Sequence, residues 1–175
     1  MSNWLSEINY YQKKEKEEYL NRLVQLATVS QDNSPRVRTV VFRGWTKFNE
    51  MKVISDNRSK KIEEVKSNNY VEICWFFPTS MCQFRLRGRL NIDMSEDTSL
   101  HWNLLDDQAK SMWGWPTPGT PVSKDKNKLP KSQFDNFILL KLDISYVEQL
   151  IIKRTKHIRK RWIRNKDWIE EYINP

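Results

Sequence analysis

The run Pro35-Arg36-Val37-Arg38-Thr39-Val40-Val41-Phe42-Arg43-Gly44 decides the fold of this chain. Its β-branched and aromatic residues lie between two breakers, the pattern of a largely buried strand. Arginines nevertheless stand near both ends. Arg38 and Arg43 are five residues apart, so the two-residue period of a strand sends them to opposite faces. A guanidinium buried at a strand end is unfavourable unless an anion meets it, and phosphate is the first anion to consider.

Working outward, Leu23 to Val29 is rich in strand formers, and Ser30-Gln31-Asp32-Asn33-Ser34-Pro35 is turn chemistry, so the two strands pair antiparallel. Met51 to Ser55 supplies a third strand that closes a meander. Asp56-Asn57-Arg58-Ser59-Lys60-Lys61-Ile62-Glu63-Glu64-Val65 then reads as a capped short helix whose first turn is crowded by Arg58, Lys60 and Lys61. Cations there oppose the helix dipole unless an anion sits on the free N–H groups. Two readings stay open for this segment: a phosphate cradle and a solvated surface loop.

Tyr70 to Phe77 is a strong strand ended by Pro78. Gln83 to Ile92 alternates Phe84 and Leu86 with Arg85, Arg87 and Arg89, which predicts one core face and one wet or ligand-facing side. Ser95-Glu96-Asp97 caps a helix carrying Leu100, Trp102, Leu104, Leu105 and Ala109. The stretch from Trp113 to Pro121 is too rich in proline and glycine for regular structure; its two tryptophans either stack on a flat ligand or pack across a subunit interface. Lys124 to Lys131 reads as a polar loop, and Phe137 to Leu142 and Tyr146 to Ile152 as two more strands. A basic cluster from Lys153 to Lys166 follows, with Trp162 among its cations. Before all of this, Trp4, Leu5, Ile8 and Tyr11 recur at helical spacing, so Asn3 to about Tyr19 reads as an amphipathic helix with the charge run KKEKEE on its solvated side.

The chain has 175 residues, a length that suits one core, and is taken as a single domain over residues 1–175. A formal charge of +8 calls for an anionic partner, and eight tryptophans against four glycines argue against disorder. Cys74, Cys82 and two distant histidines show no metal spacing, so no metal is expected. Neither a signal-like start nor a long apolar span is present, which reads as a cytoplasmic protein with no membrane partner. Roughly seven strands with short connections and three helices give a mainly β antiparallel barrel with flanking helices. No dinucleotide fingerprint, P-loop, nucleophile elbow or internal repeat appears.

The succession QLATV, P-x-V-R-T-V-V-F-R-G, S-D-x-R-S-x-K, V-E-I-C-W-F-F-P and Q-F-R-L-R-G-R, continued by a W-P-x-P-G loop, a V-E-x-L strand and a terminal R-x-R-W, resembles the pyridoxamine 5'-phosphate oxidase-like FMN-binding proteins. It is most similar to their short, single-domain branch common in cyanobacteria. The resemblance implies a split β-barrel that works as a homodimer, with one FMN in each of two clefts between subunits. By position, Arg38, Thr39, Val40 and Val41 would line the flavin, with the arginine on the phosphate. Ser55 would contact the cofactor, and Arg58, Ser59, Lys60 and Lys61 would surround its phosphate. Gln83 matches the glutamine that hydrogen-bonds the isoalloxazine, and Arg161 the late arginine that reaches in from the partner chain.

The resemblance is looser on the substrate side. Family oxidases carry an arginine and a histidine one residue apart near the C-terminus; here His157 and Arg159 hold those places in reversed order. Arg43 stands where those oxidases have a lysine that meets the substrate phosphate, and Leu150 where they have a tryptophan. Arg43, His157 and Arg159 are therefore the candidate substrate grips. The implied function is an FMN-dependent oxidoreductase acting on a small substrate with no side-chain nucleophile. The alternatives are a flavin reductase, a non-catalytic FMN carrier or sensor, and, least favoured, a nucleic-acid binder using the basic C-terminal cluster.

Overall fold

The computed structural model describes residues 3–15, 19–122 and 133–175. The expected polar loop from Lys124 to Lys131 and residues 16–18 of the expected first helix lie outside the described residues.

Strand β1 (Leu23–Val29) pairs antiparallel with β2 (Pro35–Trp45), in a register running from Leu23 opposite Val41 to Val29 opposite Pro35. The turn between them is held by Ser30 and Ser34 around the Asp32 carboxylate, with Asn33 at φ 61°. Strand β3 (Met51–Asp56) lies on the other side of β2, after a register shift between Phe42 and Trp45 that contains Gly44 at φ +100°. That backbone conformation strains any side-chain-bearing residue, which is why glycine ends the arginine-flanked run.

Strands β4 (Tyr70–Phe77), β5 (Cys82–Ile92) and β6 (Phe137–Ile151) continue the sheet, and β3 pairs with β6 from Met51 opposite Leu142 to Asp56 opposite Phe137. The order β3-β2-β1-β4-β5-β6, closed by that last pairing, is a six-stranded antiparallel barrel. Closure removes the free edges that an open sheet of this length would present. Strands β7 (Ile158–Ile163) and β8 (Glu171–Ile173) extend the sheet beyond β6.

The expected break between Phe137–Leu142 and Tyr146–Ile152 is absent: β6 is one strand of 15 residues. It carries a bulge instead of stopping: Arg87 of β5 pairs with Tyr146 and Gly88 with Ile144, which leaves Ser145 of β6 as the extra residue. A Cβ on Gly88 would lie 2.0 Å from the Asp143 carbonyl oxygen, so only glycine allows that crossing.

The barrel interior is filled by inward residues such as Val24, Leu26, Phe42, Val53, Trp75, Phe84 and Leu86. Helix α1 (Asn3–Lys14) lays Trp4, Leu5 and Ile8 into the same core. Helix α2 (Lys60–Ser67) buries Ile62, Glu64 and Val65 and packs on β1. The single helix expected after Ser95 is two, α3 (Asp97–Asn103) and α4 (Asp107–Ser111). Asp106 restarts the helix by accepting from the Ala109 amide at 2.7 Å, and Leu100 and Leu104 stay exposed rather than forming one apolar stripe. No helix among the described residues is long and apolar enough to cross a membrane.

Candidate functional site

Side-chain parity along β2 separates its two arginines as the two-residue period requires. Arg38 shares the inward side with Val40 and Phe42, at the end of the barrel covered by α2; Arg43 shares the outward side with Thr39 and Val41. Each arginine belongs to a different cluster.

The first cluster forms where β3 runs into α2. Ser55 and Ser59 are both buried, with their hydroxyls 3.4 Å apart. Lys61 donates from Nζ to Ser55 Oγ and to Ser59 Oγ, each at 3.0 Å. Burial, then the positive charge of Arg38, lowers the Lys61 pKa against the weaker opposing pull of Asp56 and Glu64. A half-buried ammonium whose hydrogen-bond partners are hydroxyls rather than a carboxylate is a poorly compensated cation. Serine hydroxyls can turn to donate, so this donor set fits the phosphate of a cofactor. Lys60, the first residue of α2, is exposed beside it.

Arg38 closes the cluster from β2. Its guanidinium donates to Glu64 Oε2 at 2.6 Å and bonds the Thr28 hydroxyl, which itself donates to Glu64 at 2.5 Å. The buried Glu64 carboxylate therefore fixes one edge of the guanidinium from behind. Arg58, expected at the phosphate, has its donors on Asp56, at 3.0 and 2.7 Å, and on the Trp115 carbonyl at 2.9 Å. The other flavin-lining residues of the sequence reading fall along the outward side of the sheet: Thr39 and Val41 face out from β2, whereas the Val40 side chain is in the core. Gln83 is half-buried on β5, in register with Phe76 and Leu150. Arg161 donates from Nε to Glu171 at 2.7 Å.

The second cluster is a cavity of about 400 Å³ lined by Arg22, Arg43 and His101 on its polar side and by Phe42, Ile54, Leu104 and Leu105 on its apolar side. Burial, then the charge of Arg22, lowers the Arg43 pKa, and its Nε is buried with no hydrogen-bond partner among the described residues. Burial, then Lys52, also lowers the His101 pKa, with Arg43 and Lys141 adding to the effect against Asp97. No acidic residue is among the described lining, so the cavity offers positive charge beside apolar wall. That combination suits a small anion with a hydrophobic body.

His157 and Arg159 line a different depression, with Lys156, Tyr172 and Asn174, and share no lining residue with the Arg43 cavity. Within one chain the three candidate substrate grips are thus not brought together. Arg159 donates to Glu148 Oε1 at 2.9 Å, while Arg85 approaches the same oxygen at 3.3 Å and Tyr146 donates to its neighbour at 2.8 Å. Exposed His157 accepts from the Lys153 amide at 3.2 Å. Trp162, which a single-strand nucleic-acid binder would stack on bases, is 0% exposed.

Neither expectation for the tryptophan loop describes Trp113, which packs within the chain against Trp102 and Phe137 at centroid distances of 5.9 and 5.0 Å. Sequence reasoning missed Thr28, Glu64, His101 and Trp113 as parts of these clusters. For Glu64 a signal was present, since it stands one helical turn from Lys61; for the others contact comes only from folding. Among the described residues, no group of three or more His, Cys, Asp or Glu side chains could hold a metal ion.

Residues 1–93 match the family model described as "Pyridoxamine 5'-phosphate oxidase, FMN-binding domain". The pyridoxine/pyridoxamine 5'-phosphate oxidase 2 of Arabidopsis thaliana is 32% identical over 171 residues, covering 87% of this chain and 86% of the relative. A pyridoxamine 5'-phosphate oxidase-related, FMN-binding protein of Nostoc punctiforme superposes with a TM-score of 0.88 at 31% identity, over 100% of this chain and 99% of that one. PhzG from Burkholderia lata, solved with tetrahydrophenazine-1-carboxylic acid, superposes with a TM-score of 0.80 at 15% identity over 98% and 89% of the two chains, which shows a shared fold.

Proposed function

Because the chain belongs to the pyridoxamine 5'-phosphate oxidase family of FMN-binding proteins, we propose that it is an FMN-dependent oxidoreductase that oxidises a small anionic amine or alcohol, with pyridoxamine and pyridoxine 5'-phosphates as the first substrates to test. The observation that carries this reading is the Arg43 cavity: a half-buried guanidinium whose buried Nε has no partner among the described residues, with no acid in the described lining, separate from the Lys61 cluster. One anion-binding cluster suits the cofactor phosphate and the other suits an anionic substrate.

FMN supplies the hydride-accepting ring, so the protein's part is binding and orientation. Ser55, Ser59, Lys60 and Lys61 hold the phosphate, with Arg38 presented by Glu64 and Thr28. Arg58 supports the same turn through Asp56. The outward side of β2 and Gln83 of β5 flank the ring. Arg43 takes the anionic group of the substrate, and Phe42, Ile54 and half-buried Leu105 give the apolar wall beside it.

The working unit in this reading is a homodimer, each chain forming one domain over residues 1–175. The outward side of β2, β1 and β4 carries Val37, Val41, Leu23 and Phe76, with Val37 66% exposed, an apolar face suited to a second copy. The family resemblance has Arg161 of one chain reaching the flavin of the other in such a pair. A cytoplasmic setting is part of the same proposal.

A second reading is favoured by one contact. Arg159 is already paired with Glu148, so one family substrate grip is occupied, and a flavin reductase or FMN carrier would need none of Arg43, His157 or Arg159. The test is purification of the protein with its flavin, followed by oxygen consumption with pyridoxamine and pyridoxine 5'-phosphates and, separately, nicotinamide-dependent flavin reduction. Oxygen uptake with a phosphorylated amine or alcohol is expected. Flavin binding with reduction by nicotinamide alone, or with no turnover, would replace the oxidase reading by the second one.

A further inference from the structure

The turn that carries Ser55, Ser59 and Lys61 is braced internally by Asp56, whose carbonyl accepts from the Ser59 amide at 3.1 Å and the Ser59 hydroxyl at 2.7 Å. Three further bonds reach it from the segment between α4 and β6. The Trp113 indole N–H donates to the Ser55 carbonyl at 3.1 Å, the Asn57 amide donates to the Asn136 carbonyl at 2.7 Å, and Arg58 donates to the Trp115 carbonyl at 2.9 Å. Asn136, 8% exposed, ties the brace to itself by donating from Nδ2 to the Trp113 carbonyl at 2.7 Å. The indole cannot swing freely, because its ring meets Trp102 and Phe137 edge-on.

We propose that Trp113 and Asn136 are positioning residues for the phosphate-binding turn, holding its backbone so that the Ser55 and Ser59 hydroxyls and the Lys61 ammonium converge before the cofactor arrives. The proposal rests on the placement of the FMN phosphate at this turn. A serine hydroxyl follows its backbone, and the two hydroxyls here orient the lysine through 3.0 Å bonds. Fixing one carbonyl and one amide therefore fixes three donors, and the ordering cost of binding is met in the free protein. The same contacts explain why a loop rich in proline and glycine needs Trp113: the indole provides an apolar body for the Trp102–Phe137 cluster and a polar edge for Ser55.

The test compares FMN with riboflavin, which shares the ring and lacks the phosphate. The full chain, stripped of flavin, is titrated with each by flavin fluorescence, as wild type, Trp113→Phe and Lys61→Ala. Trp113→Phe keeps an aromatic ring and removes the N–H together with the rest of the pyrrole ring, so the ratio of the two flavin affinities, which a packing loss moves together, is the readout. The variant is expected to weaken FMN about fivefold, the equivalent of one hydrogen bond, and to leave riboflavin affinity unchanged, so the preference for FMN falls. Lys61→Ala is expected to lower the same preference further.

An unchanged preference in Trp113→Phe, whether neither flavin weakens or both weaken together, overturns the positioning role. If the preference survives Lys61→Ala as well, the placement of the phosphate falls too, which separates the two failures. Asn136→Ala provides a second variant with the same expected direction. If both variants lower the melting temperature without altering the preference, these residues serve packing alone and the proposal is lost.

Discussion

Two basic regions of this molecule look alike in sequence and differ in what their cations meet. On and just after β7, Arg159 is paired with Glu148, Lys160 lies 3.4 Å from Glu170, Arg161 is paired with Glu171, Arg164 with Asp143 and Lys166 with Glu171. In the turn between β3 and α2, Lys61 meets two hydroxyls, and across the barrel wall Arg43 keeps an unpartnered Nε. The denser cluster is therefore mostly compensated, whereas in the sparser one Arg38 is paired with Glu64 and Arg58 with Asp56 but Lys61 and Arg43 have no carboxylate partner among the described residues. Density of charge alone does not mark an anion site; cations without a carboxylate partner, such as Lys61 and Arg43, are the ones with most charge left to offer.

The comparison breaks first if β7 is not built on its ion pairs. Glu148 is 3% exposed beneath Arg85, Arg159 and Tyr146. Glu148→Ala should cost about 3 kcal/mol, since it strands the Arg159 guanidinium and the Tyr146 hydroxyl while Arg85 keeps Glu72, and the other member of the comparison, Lys61→Ala, should cost little stability. Chemical denaturation of both variants measures this.

Acid adds a second check on the same carboxyl. Burial pushes the Glu148 pKa up, but the hydrogen bonds of Tyr146 and Arg159 and the charges of Arg159 and Arg85 together outweigh it, so the net direction from 4.5 is down. A carboxyl lowered in the fold stabilises it above its unfolded pKa, and that contribution is lost as pH falls below about 4.5 through the folded value. Melting temperature below pH 4.5 should consequently fall less steeply in Glu148→Gln than in wild type.

On the other side of the comparison, Lys61→Ala should weaken FMN by roughly 10- to 100-fold, the loss expected for charge-assisted hydrogen bonds of about 1.5–3 kcal/mol. Equilibrium titration of the flavin-free chain reads it directly. A comparable loss of FMN from Arg164→Ala, which is bonded to Asp143, would show that pairing does not separate the two regions.

Arg43→Gln sharpens the contrast between the two anion clusters. It should raise the KM for a phosphorylated substrate about tenfold, equivalent to about 1.4 kcal/mol, while leaving FMN affinity unchanged. Steady-state kinetics with saturating flavin measures the first and flavin titration the second.

The barrel was legible because its strands carry local signals. The arginine-flanked run has breakers at both ends, the Ser30 to Ser34 turn has its own chemistry, and Phe84 and Leu86 alternate with arginines at a period that only a half-buried strand requires. The continuity of β6 was not legible. Asp143-Ile144-Ser145 resembles a turn, and the strand passes through it by a bulge at Ser145 that the missing side chain of Gly88 on the facing strand accommodates. Ser59 and Lys61 could be singled out because cations and a hydroxyl crowd a helix start, Arg38 because it stands near the end of a buried-type strand, and Ser55 only through the family resemblance. The partners of the basic C-terminus could not, since Arg159 meets Glu148 only through the register of β6 with β7. His101 lines the same cavity as Arg43 from a separate helix, a placement no local pattern encodes.

His101 offers the smallest and most local test of the unpartnered cavity. Burial lowers its pKa from 6.5, and Lys52, Arg43 and Lys141 add to that against the single opposing charge of Asp97. The folded chain then binds this proton less tightly than the unfolded chain, so its effect on stability is absent well above pH 6.5 and grows unfavourable as pH falls below that value. An NMR titration of the imidazole should give a midpoint below 6.5, and Arg43→Gln should move it upward by a fraction of a unit because one of the facing cations is gone. A midpoint that ignores the Arg43 substitution would mean that the cavity's cations are screened by solvent or by ions, and the contrast with the carboxylate-paired strand would lose its electrostatic basis.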